Sequence, residues 1–408
     1  MHRDSCDFAT TGKHSPYQVG GITARNISPS GLDSDLIEAW RCLAEHALVP
    51  NAYLTPMFIL PALTHIAPPD PVSIILIETG RGDLIGLGVF QTRRLLPFFH
   101  WQALVSFRSK HTYLSGLLVD GRQAPAAVDA FFAFVSRPGS GWHGVRFDWL
   151  SAGDALDRLL QEVAHRRHLW WSESARMRRA VLLPWRHDTA DLIARIPKAV
   201  LKNLHRCRRR LEENGPTDWR IHYGNEVGDE VVERFIALEH MGWKGKAGTS
   251  VRADPAHERF FREMIAGFRD TGSVFFTELL HAGQVIASTC NLVSGNAAFA
   301  FKISWDPACA RYSPGMLNEL HLLERAKEAV GHFDLVDSGS VEGGFIDKLW
   351  LDKRELVSGV FATTGIGTLL LALAGLRRRI RQVAASLGRT VAGALPGFPR
   401  FARKTGGL

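Results

Sequence analysis

One order of elements can be read twice between Asp33 and Thr363, and this repetition constrains the fold more than any single motif. In the first half, Asp33–Ala47 and Thr55–Ile66 have helical periodicity. Val72–Ile77 and Leu84–Phe90 read as strands around the turn Gly80-Arg81-Gly82-Asp83, and strand-like sequence continues to Val119. A helix at Ala124–Val135, a strand at Gly144–Trp149, a helix at Asp154–His165 and a strand at Leu169–Glu173 follow, with Arg179–Pro184 crossing into the second half. There, Pro197 opens a helix that Asn214-Gly215-Pro216 closes, and Val231–Met241 and Ala256–Phe268 read as two more. A three-strand meander comes next, at Val274–Leu280, Gln284–Leu292 and Ala297–Trp305. A helix at Pro314–Val330 and strands at Phe333–Asp337 and Glu355–Thr363 complete the order. The plan is α+β: two lobes in tandem, each a mixed, mainly antiparallel sheet flanked by helices. The expected divisions are a polar leader over 1–21, lobes over 22–185 and 186–363, and a tail over 364–408.

Charge sharpens this division. The chain has 49 Lys+Arg against 41 Asp+Glu. From Val360 onward stand Arg377, Arg378, Arg379, Arg381, Arg389, Arg400, Arg403 and Lys404, with no Asp or Glu. Residues 1–359 are therefore balanced, and the basic excess does not mark the body as a DNA-binding module. In the tail, Leu369, Leu370, Leu373, Leu376, Ile380 and Val383 form an apolar stripe beside the arginines. That pattern suits an amphipathic basic helix on an anionic membrane surface, or a helix packed on the body. The uncharged run Gly359–Leu376 begins as a strand, and Ile366–Leu376 alone is too short to span a bilayer. The N-terminus lacks a signal peptide's apolar core, and Cys6, Cys42, Cys207, Cys290 and Cys309 are scattered without a CxxC pair. Together these fit a cytoplasmic protein. The 17 histidines contain no HExxH, so no metal is expected, and neither GxSxG nor a Walker A motif is present.

The densest chemistry lies in Phe299–Val330. The strand Phe299-Ala300-Phe301-Lys302-Ile303 leads to Tyr312-Ser313-Pro314-Gly315-Met316-Leu317, with Ser313 at an N-cap position and Pro314 at the first helical position. The first-turn N–H groups, with Gly315 bare of a side chain, could hold a pyrophosphate; the same pattern also serves an ordinary capped helix. Lys302, inside an apolar strand, either enters a cleft or snorkels at an edge. Lys198, Lys202, Arg206 and Arg210 make a basic stripe that suits phosphates, an anionic glycan or plain solvent. Glu239, Trp243 and Lys244 lie about one helical turn apart. Trp243 could wall an acceptor pocket, and Glu239 could act as a base if burial lifts its pKa toward neutrality. Asp337 heads the glycine-rich loop Ser338–Gly344 and is a second candidate base or a loop cap.

This set resembles the acyl-CoA-binding core of the GNAT acyltransferase superfamily, and more finely the CelD-type acetyltransferases that are similar to FemAB-type aminoacyltransferases. The resemblance covers about Ala190 to Phe361. It is carried by the basic helix Lys198–Glu213, by Glu239 with Trp243-Lys244-Gly245 and Gly248-Thr249, and by the meander Glu278–Lys302. Tyr312-Ser313-Pro314-Gly315 and the pair Lys348/Trp350 complete it. One glycine remains of the usual R/Q-x-x-G-x-G/A loop. The resemblance implies direct transfer from acetyl-CoA or another acyl-CoA, with the donor held by Phe301, Ser313, Gly315, Met316 and Leu317. Glu239 or Asp337 would be the base. Arg206, Trp243, Lys244, Lys302, Lys348 and Trp350 would contact the acceptor. The implied acceptor is an amine or hydroxyl of a small molecule, polysaccharide precursor or cell-envelope component. The alternatives are a FemAB-like enzyme using aminoacyl-tRNA and a non-catalytic scaffold for envelope polysaccharide synthesis.

Overall fold

A computed structural model describes residues 16–94 and 101–373. The first lobe contributes β1 (Tyr17–Val19), β2 (Ile22–Ile27), α1 (Ser34–Glu45), α2 (Pro56–His65), β3 (Val72–Thr79), β4 (Leu84–Arg94), β5 (Gln102–Ser106) and the short β6 (Leu118–Val119). Helix α3 (Ala124–Ser136), β7 (Trp142–Ser151), α4 (Ala155–Arg166) and β8 (Trp170–Leu182) complete it. Two linking helices, α5 (Thr189–Arg195) and α6 (Lys198–Glu212), lead to β9 (Thr217–Tyr223), α7 (Asp229–Met241) and α8 (Pro255–Asp270). The second lobe continues through β10 (Val274–His281), β11 (Gln284–Ser294), β12 (Ala297–Trp305), α9 (Pro314–Glu324), β13 (Leu335–Asp337) and β14 (Asp352–Ala362).

All strands join one sheet in the order β1-β2-β3-β4-β5-β7-β14-β8-β13-β12-β11-β10-β9, with β6 beside β4. Within each lobe one pair is parallel, β5 with β7 and β12 with β13, and the rest are antiparallel. The lobes interlock at the waist. β8, from the first lobe, pairs with β13 of the second, and β14, from the second, pairs with β7 of the first. β8 and β14 then pair with each other over eleven registered positions, from Asp352–Val181 to Ala362–Trp170.

Helices cover both faces. On one, α1 and α2 meet α7 and α8 in a single apolar core containing Trp40, Tyr53, Phe58, Phe235, Phe260 and Phe301. Phe58 meets Phe260 edge-on at 5.5 Å and Tyr53 meets Phe299 at 5.8 Å, so the lobes share one interior. On the other face the cores are separate, one under α3 and α4 and one under α5, α6 and α9.

Several elements depart from the sequence expectation. Leu169–Glu173 and Arg179–Pro184 belong largely to one strand, β8, whose middle is polar because it is exposed through Glu173–Arg176. The Pro314–Val330 segment breaks at Arg325 (φ −119°), leaving α9 and a short turn of helix at Ala326–Ala329. Of the expected leader, Tyr17–Val19 forms β1, and residues 1–15 lie outside the described ones. The arginine-bearing part of the tail, from residue 374, also lies outside them. Residues 365–373 are helical, with Leu369 and Leu373 exposed. Among the described residues, no helix is long and apolar enough to cross a membrane.

Candidate active site

Strands β12 and β13 run parallel through three residue pairs only, Ala297–Leu335, Ala298–Val336 and Phe299–Asp337, and then part. At the same place β12 slips against β11: Cys290 faces Lys302 and Asn291 faces Ala300, so Phe301 is a bulged residue without a partner. The bulge sends Phe301 into the shared core and Lys302 toward α7, whereas Ala300 and Ile303 look toward α9. The result is a passage through the sheet, holding a cavity of about 270 Å³. Tyr113, Lys244, Thr249 and Lys302 line its lobe–lobe side; Glu319, Phe345, Ile346 and Trp350 line its α9 side.

Glu319 is 3% exposed, on the inner face of α9. Its Oε1 accepts from Thr289 Oγ1 at 2.7 Å. Asn318 Nδ2 donates to that same Thr289 oxygen at 3.1 Å and to Thr277 Oγ1 at 2.8 Å, and Trp219 Nε1 donates to Asn318 Oδ1 at 2.9 Å. Oε2 of Glu319 has no donor among the described residues. Burial pushes the carboxyl pKa up to about 7, and the Thr289 hydrogen bond offsets only part of that rise. A carboxyl group that changes state near neutrality can accept a proton and return it.

Glu239 differs from the expectation placed on it. It is buried, but Lys244 Nζ (2.9 Å) and Lys302 Nζ (3.2 Å) both donate to its Oε1, and Val251 N–H (2.8 Å) donates to Oε2. Burial alone would raise its pKa; the two ammonium groups and the peptide N–H outweigh burial and hold it below the usual carboxylate range. Glu239 is therefore an anchor for two lysines, and the rise toward neutrality that a base role required is absent. Asp337 is also buried and committed. Arg179 Nη1 stands 3.5 Å from its Oδ1, Arg354 Nη1 3.0 Å from Oδ2, and Gly339 N–H donates to Oδ1 at 2.7 Å. It does not line the cavity. Arg179 continues from there to the carbonyls of Ser340 (3.0 Å) and Tyr113 (2.9 Å), tying a loop of each lobe to the rim.

The remaining candidates divide. Phe301, Lys244, Lys302 and Trp350 line the cavity. Ser313, Gly315, Met316 and Leu317 lie at the start of α9, outside it. Ser313 occupies the N-cap position in the left-handed region (φ 54°) and its hydroxyl makes no capping bond. Gly315 is covered, because a Cβ there would stand 3.4 Å from both Ile303 Cδ1 and Trp305 Cδ1. That is an ordinary contact distance, so the Gly315 Cα is turned toward β12 and the packing there does not itself demand a glycine. Arg206 is on the exposed face of α6, bonded to Asn203 (2.6 Å), beside a groove it shares with Lys198, Lys202 and Arg209. Lys348 is exposed, and Trp243 opens a helical turn, Trp243–Lys246. Glu319 and Tyr113 escaped the sequence reading. Glu319 carried one signal, a polar residue on the same helical face as Met316, Leu320 and Leu323. Among the described residues, no group of three His, Cys, Asp or Glu could hold a metal ion.

Residues 198–341 match the model of the family described as acetyltransferase (GNAT) domain. No curated protein matches the chain. Among solved structures it is similar to FemX, at 9% identity over 83% of this chain and 98% of that one, with a TM-score of 0.54. It is also similar to the C-terminal domain of a putative lysylphosphatidylglycerol synthetase from Agrobacterium fabrum, at 11% identity over 83% and 96%, with a TM-score of 0.50. A conserved protein of unknown function from Bacteroides thetaiotaomicron is similar at 11% identity over 82% and 100%, also with a TM-score of 0.50. Residues 198–341 are thus similar to a GNAT acetyltransferase domain, and the likeness of the whole chain to FemX is one of fold.

Proposed function

We propose that the protein is an acyltransferase that moves an acyl group directly from an acyl-CoA thioester to an amine or hydroxyl in the β12/β13 passage. One observation carries this reading: the β12 bulge at Phe301 opens the sheet beside a buried carboxyl group that titrates near neutrality. The donor reaches the passage from the α9 side, where the N–H groups of Gly315 and Met316, in the helix's first turn, take its diphosphate. A peptide N–H freed from the ladder at the bulge polarises the thioester carbonyl. Glu319 takes the proton of the attacking amine or hydroxyl as the new C–N or C–O bond forms. The C–S bond breaks, and Glu319 passes the proton to the departing sulfur. Atoms and charge balance without a covalent enzyme intermediate. The acceptor enters from the other side, between the lobes; polysaccharide precursors and cell-envelope molecules remain the acceptor classes that the GNAT resemblance suggests.

A second donor, aminoacyl-tRNA, is favoured by one feature, the exposed cations Lys198, Lys202, Arg206, Arg209 and Arg210 along α6. Calorimetry of the full chain separates the two. Acetyl-CoA is expected to bind at one site, and Ser313→Asp, which brings a carboxylate to the start of α9 at a position where Asp tolerates positive φ, should weaken it about tenfold. No heat with acetyl-CoA, together with binding of aminoacyl-tRNA, would replace the first donor with the second.

A further inference from the structure

Two ammonium groups in the passage share one carboxylate oxygen. Glu239 Oε1 accepts from Lys244 and Lys302, and its Oε2 is occupied by Val251 N–H. Lys244 spends a second bond on Ile303 O at 3.1 Å. Lys302 has Glu239 as its only hydrogen-bond acceptor among the described residues, although an ammonium brings three donors, and its side chain is 9% exposed. Among the described residues, no other carboxylate pairs with it. Asp337 is held by Arg179 and Arg354, and Glu319 lies on the opposite side of the sheet with Thr289 as its partner. Nearby His111 and His257 hydrogen-bond each other at 2.9 Å and supply no negative charge. Two buried cations that share a single carboxylate are expensive, and a fold can tolerate them where a ligand brings a second anion.

The position of this charge decides which ligand it would serve. The lysines face the side of α7 and the first lobe, away from α9. Thr249 and the Tyr113 ring stand beside them. Burial pushes the Tyr113 phenol up to about 12, so it stays protonated and able to donate. We propose that the acceptor carries an anionic group, a carboxylate or a phosphate ester, which docks on Lys302 and Lys244 from the lobe–lobe side. This rests on the acyltransfer reading for the word acceptor, but the anion site itself does not.

The test uses the full chain without donor. Succinate and glycerol 3-phosphate serve as anionic probes, with succinamide and glycerol as neutral counterparts, titrated by calorimetry at constant ionic strength. At least one anion should bind saturably in the millimolar range while its neutral counterpart does not, and the tighter anion identifies carboxylate or phosphate. Lys302→Met should weaken that binding about tenfold or more, Lys302→Arg should retain most of it, and Ser313→Asp should leave it unchanged. Anions that bind no better than neutral probes, or that ignore Lys302→Met, would overturn the proposal. So would equal weakening of succinate and acetyl-CoA by Ser313→Asp, which would assign the lysines to the donor's phosphates. If acetyl-CoA does not bind but the anion still depends on Lys302, the acyltransfer reading fails and the anion site stands.

Discussion

The two lobes follow one plan and put it to opposite uses. In the second, the parallel pair β12/β13 separates after Phe299–Asp337 and the gap stays open. In the first, β5 and β7 are joined from Gln102–Trp142 through Val105–Arg146, and the Ser106 hydroxyl then accepts the Asp148 N–H at 3.1 Å. The segment after β5 fills the space, with Phe107, Leu114, Leu117 and Leu118 all buried. The covering helices differ in the same sense. α9 buries Asn318 and Glu319, whereas α3 buries Val128, Phe131, Phe132, Phe134 and Val135. One lobe pays for a polar, titratable helix face; in the other the corresponding helix face is apolar. The open pair lies where the helix above brings polar groups; a register shift alone does not open the sheet, because β5/β7 has one as well. The first lobe still reaches the site, through Tyr113 and the Arg179 clamp.

The comparison is broken most sharply at Glu319. Glu319→Gln keeps the Thr289 hydrogen bond but removes the titrating group. Transfer should fall about 10²–10⁴-fold with acetyl-CoA affinity little changed, measured by thiol release once an acceptor is in hand. In the unaltered protein the rate should rise with pH through about 7, as Glu319 ionises, and the variant should lose that inflection. Stability carries the opposite sign. The raised carboxyl pKa favours the folded state most below the unfolded value near 4.5, and this contribution is lost as pH rises through about 7. Glu319→Gln should therefore flatten the pH dependence of chemical denaturation in that window. Phe131→Ala tests the apolar face of α3. Phe131 is fully buried and stacks on Phe90 at 5.7 Å, so its loss should cost about 3–5 kcal/mol in denaturation and leave acetyl-CoA affinity intact where the protein remains folded. A change in affinity would show that the first lobe helps bind the donor.

How much of this was legible follows the same physics. The meander is readable because Val274–Leu280, Gln284–Leu292 and Ala297–Trp305 are apolar runs separated by turns, and Ala282, Gly283 and Gly295 do take positive φ. β9 is not, because Thr217–Tyr223 is an edge strand with no fully buried residue, and β8 hides its middle in polar, exposed sequence. At the site, Lys302 is visible as a lysine within an apolar strand. Glu319 is not, because a single polar residue on an amphipathic helix reads as ordinary variation; only the contacts with Thr289 and the cavity distinguish it. Tyr113 arrives from the other lobe, so no spacing within the second lobe could point to it. The commitment of Glu239 to two lysines is likewise a matter of distances, since the sequence shows Lys302 as far as sixty-three residues away.

The smallest effect probes what keeps the first lobe closed. Ser106 is buried, and its Oγ accepts the Asp148 N–H just beyond the last registered β5/β7 pair. Ser106→Ala leaves one buried peptide donor without that acceptor and removes little volume, so denaturation should show a loss of about 1 kcal/mol. If the apolar side chains of the 107–119 segment are what fill the gap, the lobe stays shut: acetyl-CoA should still bind at one site, and amide exchange should quicken only near Asp148. A second acetyl-CoA equivalent in the Ser106→Ala variant would mean that a single hydroxyl separates an open lobe from a closed one. The contrast between the lobes would then reside in the strand contact, and the packing beneath α3 would be its consequence.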